Sequence, residues 1–343
     1  MTAVYLTIDT EYAAHLPGCG RTPGTRAENF ARSIACETPA GAVGVFHQMD
    51  VMDAHGLKGV FFVDPMPALV WGVAAIEDVV GPIVARGHDV QFHCHSEWLE
   101  HAPGSGLAGG RTGRNLKDFV LDDQVEILAY ARDTLIAAGA PAPIAFRAGN
   151  YGANDDTLRA LAMLGIAYDT SHGPALVGAG DCALSLGAED RLPVRHCGVA
   201  EIPIACTETF GRRLRHAQLT ALSRRELVAL ICHARDIGQD SVTLVSHSFE
   251  LLSRDRSRIN RLVERRFRRF CETLSRLPSV TTATYASRPP ALREDGREGP
   301  VLPHDPLRSG ARVVEQALVN ALYSRRARFG AHHAIAVGSV LLT

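Results

Sequence analysis

Residues 87–98, Gly-His-Asp-Val-Gln-Phe-His-Cys-His-Ser-Glu-Trp, place two histidines and a carboxylate directly after a short apolar strand pattern. Because side chains alternate along a strand, His93 and His95 are expected on the same face. A polar cluster at the end of a buried strand costs free energy unless it binds something. Imidazole nitrogens and the nearby Glu97 carboxylate are ligands that a divalent transition metal, zinc first, prefers. The stretch therefore predicts a strand that delivers metal ligands to one edge of a sheet.

Outward from this stretch, strand patterns alternate with helical patterns along most of the 343-residue chain. Apolar runs predict strands at 4–9, 57–63, 88–93, 143–147, 166–169, 199–204, 241–246 and 280–284. Helical periodicity predicts helices at 41–55, 73–86, 121–138, 154–164, 223–237 and 257–277. Repeated strand–helix units require parallel strands joined by right-handed crossovers. The pattern favours an α/β fold built as a distorted (β/α) barrel of about seven strands over an open sheet.

The chain is predicted to divide into a barrel at 1–287 and a different C-terminal region at 288–343. Pro289-Pro290 and the mixture of proline, glycine and charge that follows predict a linker, and a short helical extension is predicted near 310–328. Three connections within the barrel are too long for simple turns, namely 10–40, 96–120 and 170–198. All three follow strands, so they are expected at the C-terminal face of the barrel, where active sites are built.

Composition argues against several classes of protein. The formal net charge of −1 gives no general attraction to nucleic acid, and no apolar run reaches the roughly 18 residues that a membrane helix needs. The N-terminus lacks the basic region and long apolar core of a signal peptide. The eight cysteines are scattered without a Cys-x-x-Cys pair, which favours reduced thiols. We therefore predict a cytoplasmic protein without a membrane span or nucleic-acid partner, and its oligomeric state stays open.

Two carboxylates, Asp9 and Glu11, stand two residues apart at the end of the first predicted strand. They should face the same way, and two like charges so close raise each other's pKa unless a cation lies between them. This arrangement suits one metal ligand and one general base. A solvated strand end with helix-capping acids would give the same pattern, so the pair alone decides nothing.

A glycine-rich turn follows the fourth predicted strand, with the sequence Phe146-Arg147-Ala148-Gly149-Asn150-Tyr151-Gly152. An arginine at a strand end can pin a carboxylate bidentately and hold it charged. The glycines around Asn150 and Tyr151 let backbone N–H groups approach a ligand, as an oxyanion site requires. Both residues are therefore candidate substrate contacts, and the alternative is an ordinary turn with a surface arginine.

Two further strand ends carry titratable side chains, Asp169 after the fifth predicted strand and His247 after the seventh. A histidine that follows a purely apolar run suits a general acid near neutral pH, and a carboxylate partner would orient it. Either residue alone would be explained by ordinary capping at the end of a strand or helix. Five strand ends at the same face, however, together carry the residue types that metal-assisted hydrolysis needs.

The order of these motifs resembles the polysaccharide deacetylases of carbohydrate esterase family 4, in a divergent branch. The resemblance runs through Asp-x-Glu, Gly-His-Asp-Val followed by His-x-His-x-Glu, Arg-x-Gly-x-Tyr-Gly, Asp-x-Ser and Leu-x-Ser-His, and it covers roughly residues 4–285. It implies a distorted (β/α) barrel that uses one divalent metal ion to remove N-acetyl groups from amino sugars.

The same resemblance implies roles for the residues of the first two motifs. Asp9 resembles the catalytic base and Glu11 the first metal ligand. His93 matches the first motif histidine, whereas Glu97 stands where the family has its second histidine and His95 is additional. The motif position favours Glu97 as a metal ligand and the strand geometry favours His95, so both stay candidates.

The later motifs imply further roles. Arg147 matches the arginine that steadies the base, and Asn150 sits where a tyrosine backbone N–H of the family helps to hold the oxyanion. Asp169 matches the acid that orients the catalytic histidine, here His247. Trp98 is a candidate platform for a sugar ring, although packing is the simpler interpretation.

We therefore predict a metal-dependent hydrolase that removes an acetyl group from an N-acetylated sugar or polysaccharide. Its expected partners are a carbohydrate or small amide substrate and one divalent metal ion, Zn²⁺ first. One alternative is hydrolysis of another C–N bond, such as a cyclic amide, on the same barrel. A second is a non-enzymatic carbohydrate-binding barrel, which the presence of both Asp9 and His247 disfavours.

An arginine-rich segment at 254–269 could suggest a surface for nucleic acid. Apolar residues recur within and beyond it at helical spacing, namely Ile259, Leu262, Val263, Phe267, Phe270 and Leu274. This pattern instead predicts a helix whose apolar stripe packs on the barrel while most of its arginines face water.

Overall fold

A curled sheet of mainly parallel strands forms the centre of the structure, a computed structural model that describes residues 1–292 and 298–323. The strands are β1 (Thr2–Thr10), β2 (Glu37–Thr38), β3 (Gly41–Ala42), β4 (Val60–Val63), β5 (Asp89–Cys94), β6 (Ala145–Ala148), β7 (Tyr168–Asp169), β8 (Val194–His196), β9 (Val199–Glu201), β10 (Cys206–Glu208), β11 (Leu214–His216), β12 (Ser241–His247) and β13 (Val280–Thr282).

Helices surround this sheet and connect its strands. The α-helices are α1 (Arg26–Asn29), α2 (Val45–Asp53), α3 (Ala68–Trp71), α4 (Ala74–Ala85), α5 (Leu121–Ala137), α6 (Asp155–Met163), α7 (Arg224–Asp236), α8 (Arg261–Leu274) and α9 (Pro306–Tyr323). A π-helix lies at Phe30–Ile34. Short 3₁₀ helices lie at Ser96–His101, Leu107–Gly110, Leu116–Asp118, Gly149–Tyr151, Pro174–Leu176 and Phe210–Arg212.

Among the described residues, seven parallel strands follow one another in the sheet in the order β12, β1, β4, β5, β6, β7 and β9. The sheet curls until irregular chain bridges β9 and β12. There the Ala205 N–H donates to the Thr243 carbonyl at 3.0 Å, and the Val245 N–H donates to the Ala217 carbonyl at 3.0 Å. The predicted distorted barrel of about seven strands is confirmed, and this irregular bridge is one source of the distortion.

The alternation of side chains along β1 divides the core into two layers. Leu6 and Ile8 pack in the larger apolar cluster between the sheet and the helices, whereas Tyr5 packs in a smaller cluster inside the barrel. Thr7 and Asp9 continue the inward row towards the end of the strand, and both are buried. The barrel interior therefore changes from apolar to polar along β1, and this polar end requires compensating partners.

The predicted strands and helices of the barrel all have counterparts. The eight predicted strands correspond to β1, β4, β5, β6, β7, β9, β12 and β13, and the six helices to α2, α4, α5, α6, α7 and α8. The pairs β2–β3 and β10–β11 and the strand β8 escape prediction because two or three residues carry no readable periodicity. All eight cysteines lie within the described residues and are free thiols, as their spacing predicts.

The C-terminal helix α9 packs against the barrel helices α7 and α8. Arg312 Nε lies 3.1 Å from Oε1 of Glu226 in α7, and both side chains are buried. Arg266 Nη2 of α8 lies 2.8 Å from Glu315 Oε1. The boundary between residues 287 and 288 stays a prediction, and residues 324–328 of the predicted helix lie outside the described part of the chain.

The predicted apolar stripe of α8 is present, with Val263, Phe267 and Phe270 buried. Most of the arginines on this helix are exposed as predicted, but Arg266 is buried because it pairs with α9 and donates to backbone carbonyls of the chain before α7. No helix among the described residues combines the length and apolar character required to cross a membrane.

Candidate metal and catalytic site

The predicted site residues gather at the C-terminal ends of the parallel strands, where the register decides which side chains are neighbours. Asp9 at the end of β1 is aligned with His247 at the end of β12. His93 of β5 is aligned with Arg147 of β6. Glu11 follows Asp9 by two residues, which is the spacing that keeps side chains on one face. The sheet thus collects residues that are far apart in the sequence at one end of the barrel.

Glu11, His93 and His95 form a compact group of possible metal ligands, with one candidate donor atom from each lying within 4.8 Å of the others. His93 Nε2 lies 3.2 Å from Glu11 Oε2, and His95 Nε2 lies 2.5 Å from the same oxygen. His93 is buried, and the other two are partly buried. Two imidazole nitrogens and one carboxylate oxygen are a donor set that suits Zn²⁺ or a similar ion.

The second ring nitrogen of each histidine, Nδ1, contacts an oxygen atom of the protein. His93 Nδ1 donates to the Arg147 carbonyl oxygen at 2.7 Å, and His95 Nδ1 lies 3.4 Å from Glu97 Oε1. These contacts direct both Nε2 atoms towards Glu11, which is the usual arrangement of metal-binding histidines. Gly149 leaves room for the His95 ring, because a Cβ at this position would lie 2.6 Å from the imidazole Cγ.

Glu97 lies on the far side of His95 and outside the group of three. Its Oε1 accepts a hydrogen bond from Asn150 Nδ2 at 2.9 Å. Of the two ligand candidates that the sequence leaves open, the structure places His95 beside Glu11 and His93, because His95 directly follows β5 with an extended backbone and so keeps the strand alternation. Glu97 contacts the ring of His95 at Nδ1, and the identity of the metal ligands stays a prediction.

The charges of this group offset one another. Burial opposes ionisation of Glu11, but the charge of His95 and the hydrogen bonds of both histidines hold the pKa of Glu11 well below its usual range. Burial also disfavours the charged form of His95, yet the neighbouring carboxylates Glu11, Glu97 and Asp64 raise its pKa well above the usual value. The same carboxylates would offset the charge of a divalent ion.

Asp64, directly after β4, adds a further carboxylate to the group. Its Oδ1 accepts a hydrogen bond from the Met66 N–H at 3.1 Å and lies 3.4 Å from the His95 N–H. The residue is buried, and its Oδ2 has no hydrogen-bond partner among residues 1–292 and 298–323. Burial raises the pKa of Asp64 to about 6 despite the nearby histidine charges. A buried carboxylate oxygen without a donor is costly, and this favours a cation at the site.

A buried ion pair fixes the position of Asp9. Arg147 Nη1 donates to Asp9 Oδ1 at 2.6 Å and to Thr7 Oγ1 at 2.8 Å. The guanidinium lies 4.5 Å from the centre of the Phe62 ring, and it is fully buried. The contact is made to one carboxylate oxygen and is not the bidentate pair that the sequence suggested. Asp9 Oδ2 is therefore left to face the rest of the site.

His247 is oriented by Glu250, a residue of the following turn. His247 Nδ1 lies 2.9 Å from Glu250 Oε1, and Gln218 Nε2 donates to the same oxygen. His247 Nε2 lies 3.8 Å from Asp9 Oδ2. Burial alone would lower the pKa of His247, but the hydrogen bond and charge of Glu250, with the charge of Asp9, raise it to about 9. His247 is thus a protonated group opposite Asp9 at neutral pH.

Asp169 has other partners than the family resemblance implies. Its Oδ1 accepts from Ser171 Oγ at 2.9 Å and its Oδ2 from the Ser171 N–H at 3.0 Å. The register of β7 and β9 sets Glu201 directly beside Asp169, and their carboxyl groups are hydrogen-bonded. Burial and the Asp169 charge raise the pKa of Glu201 well above its usual range. Glu250, in place of Asp169, is the carboxylate that contacts His247.

Asn150 and Tyr151 form a strained turn beside the ligand group. Their φ angles are 55° and 56°, in a region that residues other than glycine seldom adopt. The Asn150 amide is used within the protein to hold Glu97. The Tyr151 hydroxyl is buried and has no hydrogen-bond partner among the described residues. Burial raises the pKa of Tyr151, while the positive charge of Arg147 opposes this effect.

Trp98 is a core residue and does not form a platform for a sugar ring. The side chain is fully buried, and its ring packs edge-on against Trp71 at 5.3 Å and against His101 at 5.9 Å between ring centroids. This burial does not fit the predicted substrate contact of Trp98, because Trp71 of α3 and His101 occupy the space around the indole.

Three carboxylates of the site were not among the predicted residues. Asp64 and Glu201 lie within or just after predicted apolar strands, and an acid at such a strand end is the same signal that identifies Asp9. Glu250 follows His247 by three residues, but its contact depends on the geometry of a turn. Only the first two could have been found by the reasoning that identified Asp9.

Comparisons with known proteins show a similar fold at low sequence identity. Neither a protein-family model nor a curated protein matches the sequence. A crystal structure of a protein described as a polysaccharide deacetylase from Mycobacterium smegmatis has a TM-score of 0.50 and 18% identity, covering 86% of this chain and 94% of its own. The 4-α-glucanotransferase of Thermococcus litoralis also has a TM-score of 0.50, with 12% identity over 83% of this chain and 39% of its own.

A family 4 carbohydrate esterase from Streptomyces lividans is 10% identical over 88% of this chain and 98% of its own, with a TM-score of 0.42. Identities this low establish a likeness of fold and not of activity. The chain has the distorted barrel fold of the polysaccharide deacetylases.

Proposed function

We propose that this chain is a divergent polysaccharide deacetylase, a metal-dependent hydrolase that removes the acetyl group from an N-acetylated sugar or polysaccharide. One observation carries the proposal: Asp9, paired with buried Arg147, lies two residues before Glu11 of the Glu11–His93–His95 group, and its Oδ2 is 3.8 Å from His247 Nε2. A base, an acid and a metal-binding group at one strand end are the components that amide hydrolysis requires.

Glu11, His93 and His95 would hold one divalent ion, with Zn²⁺ the first candidate because two donors are imidazoles. When bound, such an ion supplies Lewis acidity to an acyl oxygen and to a water molecule. Support for this assignment comes from the two Nε2 atoms directed at one carboxylate and from the unpaired oxygen of Asp64.

Asp9 and His247 would divide the proton transfers between them. Asp9 Oδ2, the oxygen that Arg147 leaves free, accepts a proton from the attacking water, while Arg147 offsets the buried charge. His247 carries a proton at neutral pH and donates it from Nε2 to the leaving amine. Glu250 holds Nδ1 and so fixes the orientation of the ring that makes this donation possible.

Tyr151 would contribute a hydrogen-bond donor to the substrate. A buried donor without an acceptor costs about 1–3 kcal/mol, so a substrate oxygen that accepts from the Tyr151 hydroxyl relieves this cost. A donor in such a position can stabilise negative charge that develops on an acyl oxygen. The strained φ of Tyr151 holds the residue in place before the substrate arrives.

The two alternatives from the sequence make different predictions for this site. A barrel that only binds carbohydrate has no use for a buried Asp9–Arg147 pair and a protonated histidine, both of which cost free energy. Hydrolysis of a cyclic amide would use the same residues, so only a substrate panel separates it from deacetylation. The cytoplasmic location and the lack of a nucleic-acid partner stay predictions.

The test combines metal content with acetate release from a panel of N-acetylated amino sugars, with cyclic amides as the comparison. The purified protein should contain about one zinc or similar ion per chain, and His93→Ala should lose it. His55→Ala, which removes a histidine on the N-terminal side of β4, is the matched control and should retain the metal. Full metal content in His93→Ala would contradict the proposed metal site. If none of the amino sugars releases acetate, the proposed activity is wrong.

A further inference from the structure

An arginine outside the predicted site stands beside the catalytic histidine. The turn after β12 carries Phe249, whose ring stacks on His247 at 5.3 Å between centroids and 30° between planes. The guanidinium carbon of Arg256 lies 3.8 Å from the centre of the same Phe249 ring. His247, Phe249 and Arg256 therefore form a continuous stack that leads from the proposed acid to a fixed positive charge.

Among residues 1–292 and 298–323, the Arg256 guanidinium has neither a carboxylate partner in an ion pair nor an oxygen acceptor. Asp255, its neighbour in the loop, is taken up by hydrogen bonds from Ser253 and Ser257. Burial lowers the pKa of Arg256, and Glu11 of the ligand group is the carboxylate whose charge opposes this effect. Within the described part of the chain, this partly buried guanidinium therefore has no anion in direct contact, and the charge of Glu11 acts on it only from a distance.

The loop holds Arg256 in a defined place. Arg256 has a φ of 55°, and its N–H donates to the Ser253 carbonyl at 2.8 Å. The Ser253 N–H in turn donates to the Arg258 carbonyl at 2.7 Å, and Leu252 and Ile259 form a bridge at the base of the loop. Strain at a non-glycine residue persists only where the surroundings enforce it, and the order it gives reduces the entropy cost of binding.

We propose that Arg256 binds an anionic group, a carboxylate or a phosphate, on the sugar whose acetamido group reaches the site. The inference rests on the proposed function and narrows its substrate class from any N-acetylated sugar to an acidic one. A guanidinium makes charge-assisted hydrogen bonds to such groups, and here it would do so beside the apolar face of Phe249. Arg32, on the π-helix at Phe30–Ile34, is already paired with Glu28 at 3.5 Å, so Arg256 is the cation left to bind such a group.

The experiment compares acetate release from four forms of methyl N-acetylglucosaminide that differ in one substituent. They are the neutral sugar, its 3-O-lactyl acid, the methyl ester of that acid and the 6-phosphate. The ester keeps the shape of the acid without its charge, and the phosphate distinguishes the two classes of anion. The proteins are the wild type, Arg256→Ala, Arg256→Lys and, as a control for charge loss in the same loop, Arg254→Ala, which removes an exposed arginine.

We expect the wild type to have a kcat/KM for at least one anionic form roughly ten- to hundredfold above that for its neutral counterpart. The ratio of kcat/KM for the anionic sugar to that for its neutral counterpart should fall towards one in Arg256→Ala. It should stay partly elevated in Arg256→Lys and unchanged in Arg254→Ala. Equal rates for charged and neutral forms in the wild type, or an unchanged preference in Arg256→Ala, would overturn the inference and leave the proposed function intact.

A binding measurement separates the two proposals. Calorimetry with the Asp9→Asn protein measures affinity for the same four sugars without turnover. If no sugar releases acetate but the anionic forms still bind more tightly in an Arg256-dependent way, the proposed function fails and the anion site stands. If no sugar reacts and binding shows no preference for charge, both proposals fail.

Discussion

Replacement of Glu250 by glutamine should return the pKa of His247 from about 9 towards the value of an ordinary histidine. Burial lowers this pKa, and the 2.9 Å contact with Glu250 is the largest of the effects that raise it. The amide keeps the size of the side chain but removes its charge. His247 should then lose its proton at a pH well below that of the wild type, because burial is no longer outweighed.

The size of the effect follows from the two pKa values. At pH 7.5 a histidine of pKa about 9 is roughly 97% protonated, whereas one of pKa about 6.5 is roughly 9% protonated. If protonated His247 is the acid, activity at this pH should fall about tenfold in Glu250→Gln. Since the acid works only while protonated, activity is lost as pH rises through its pKa, so the basic limb should move from near pH 9 towards pH 6.5.

Imidazole NMR titration measures the pKa of His247 directly, with His247→Ala to assign its signal, and a pH profile of kcat/KM reports the consequence for activity. Glu272→Gln, on the exposed side of α8, is a control for loss of one negative charge. A His247 pKa that stays near 9 in Glu250→Gln would refute the assignment of Glu250 as its partner. If the His247 pKa falls in Glu250→Gln but the pH profile of kcat/KM does not move, His247 is not the acid.

Three further predictions concern the base, the metal and the C-terminal helix. Asp9→Asn should retain metal and fold while kcat falls by about 10²-fold or more, and near-normal turnover would exclude Asp9 as the base. His95→Ala should lose bound zinc in elemental analysis, whereas Glu97→Gln should weaken affinity by roughly 10–100-fold, and the reverse order would make Glu97 the ligand. Arg312→Ala should lower the free energy of unfolding in urea by about 3–5 kcal/mol because the charge of buried Glu226 loses its ion-pair partner and keeps only the hydrogen bonds from Ser223, and a change below 1 kcal/mol would contradict this.

The sequence predicts those site residues that stand at the ends of long apolar strands. Asp9, His93 and His247 are examples, because strand alternation and the common edge of parallel strands are properties of local pattern. The choice between His95 and Glu97 likewise follows from alternation once β5 is known to continue through Cys94. Local pattern therefore gives the direction of a side chain.

Contacts that join different strands, or a strand and a loop, do not follow from local pattern. Asp169 meets Glu201 because β7 and β9 pair with a particular register, which no local pattern specifies. Trp98 is buried because its segment packs against Trp71 of α3, and Glu250 contacts His247 through the shape of one turn. Such contacts depend on the tertiary arrangement of segments that carry no periodicity of their own.

The alignment of Asp9 with His247 and of His93 with Arg147 restricts which changes in chain length this fold can accept. A single residue inserted into β12 before His247 would shift its register and turn the imidazole to the opposite face of the sheet. An insertion between residues 12 and 36 or between residues 99 and 120 lies outside the strands and leaves the register of the barrel sheet unchanged. Variation in length among proteins that share this fold should therefore be confined to the loops between the strands.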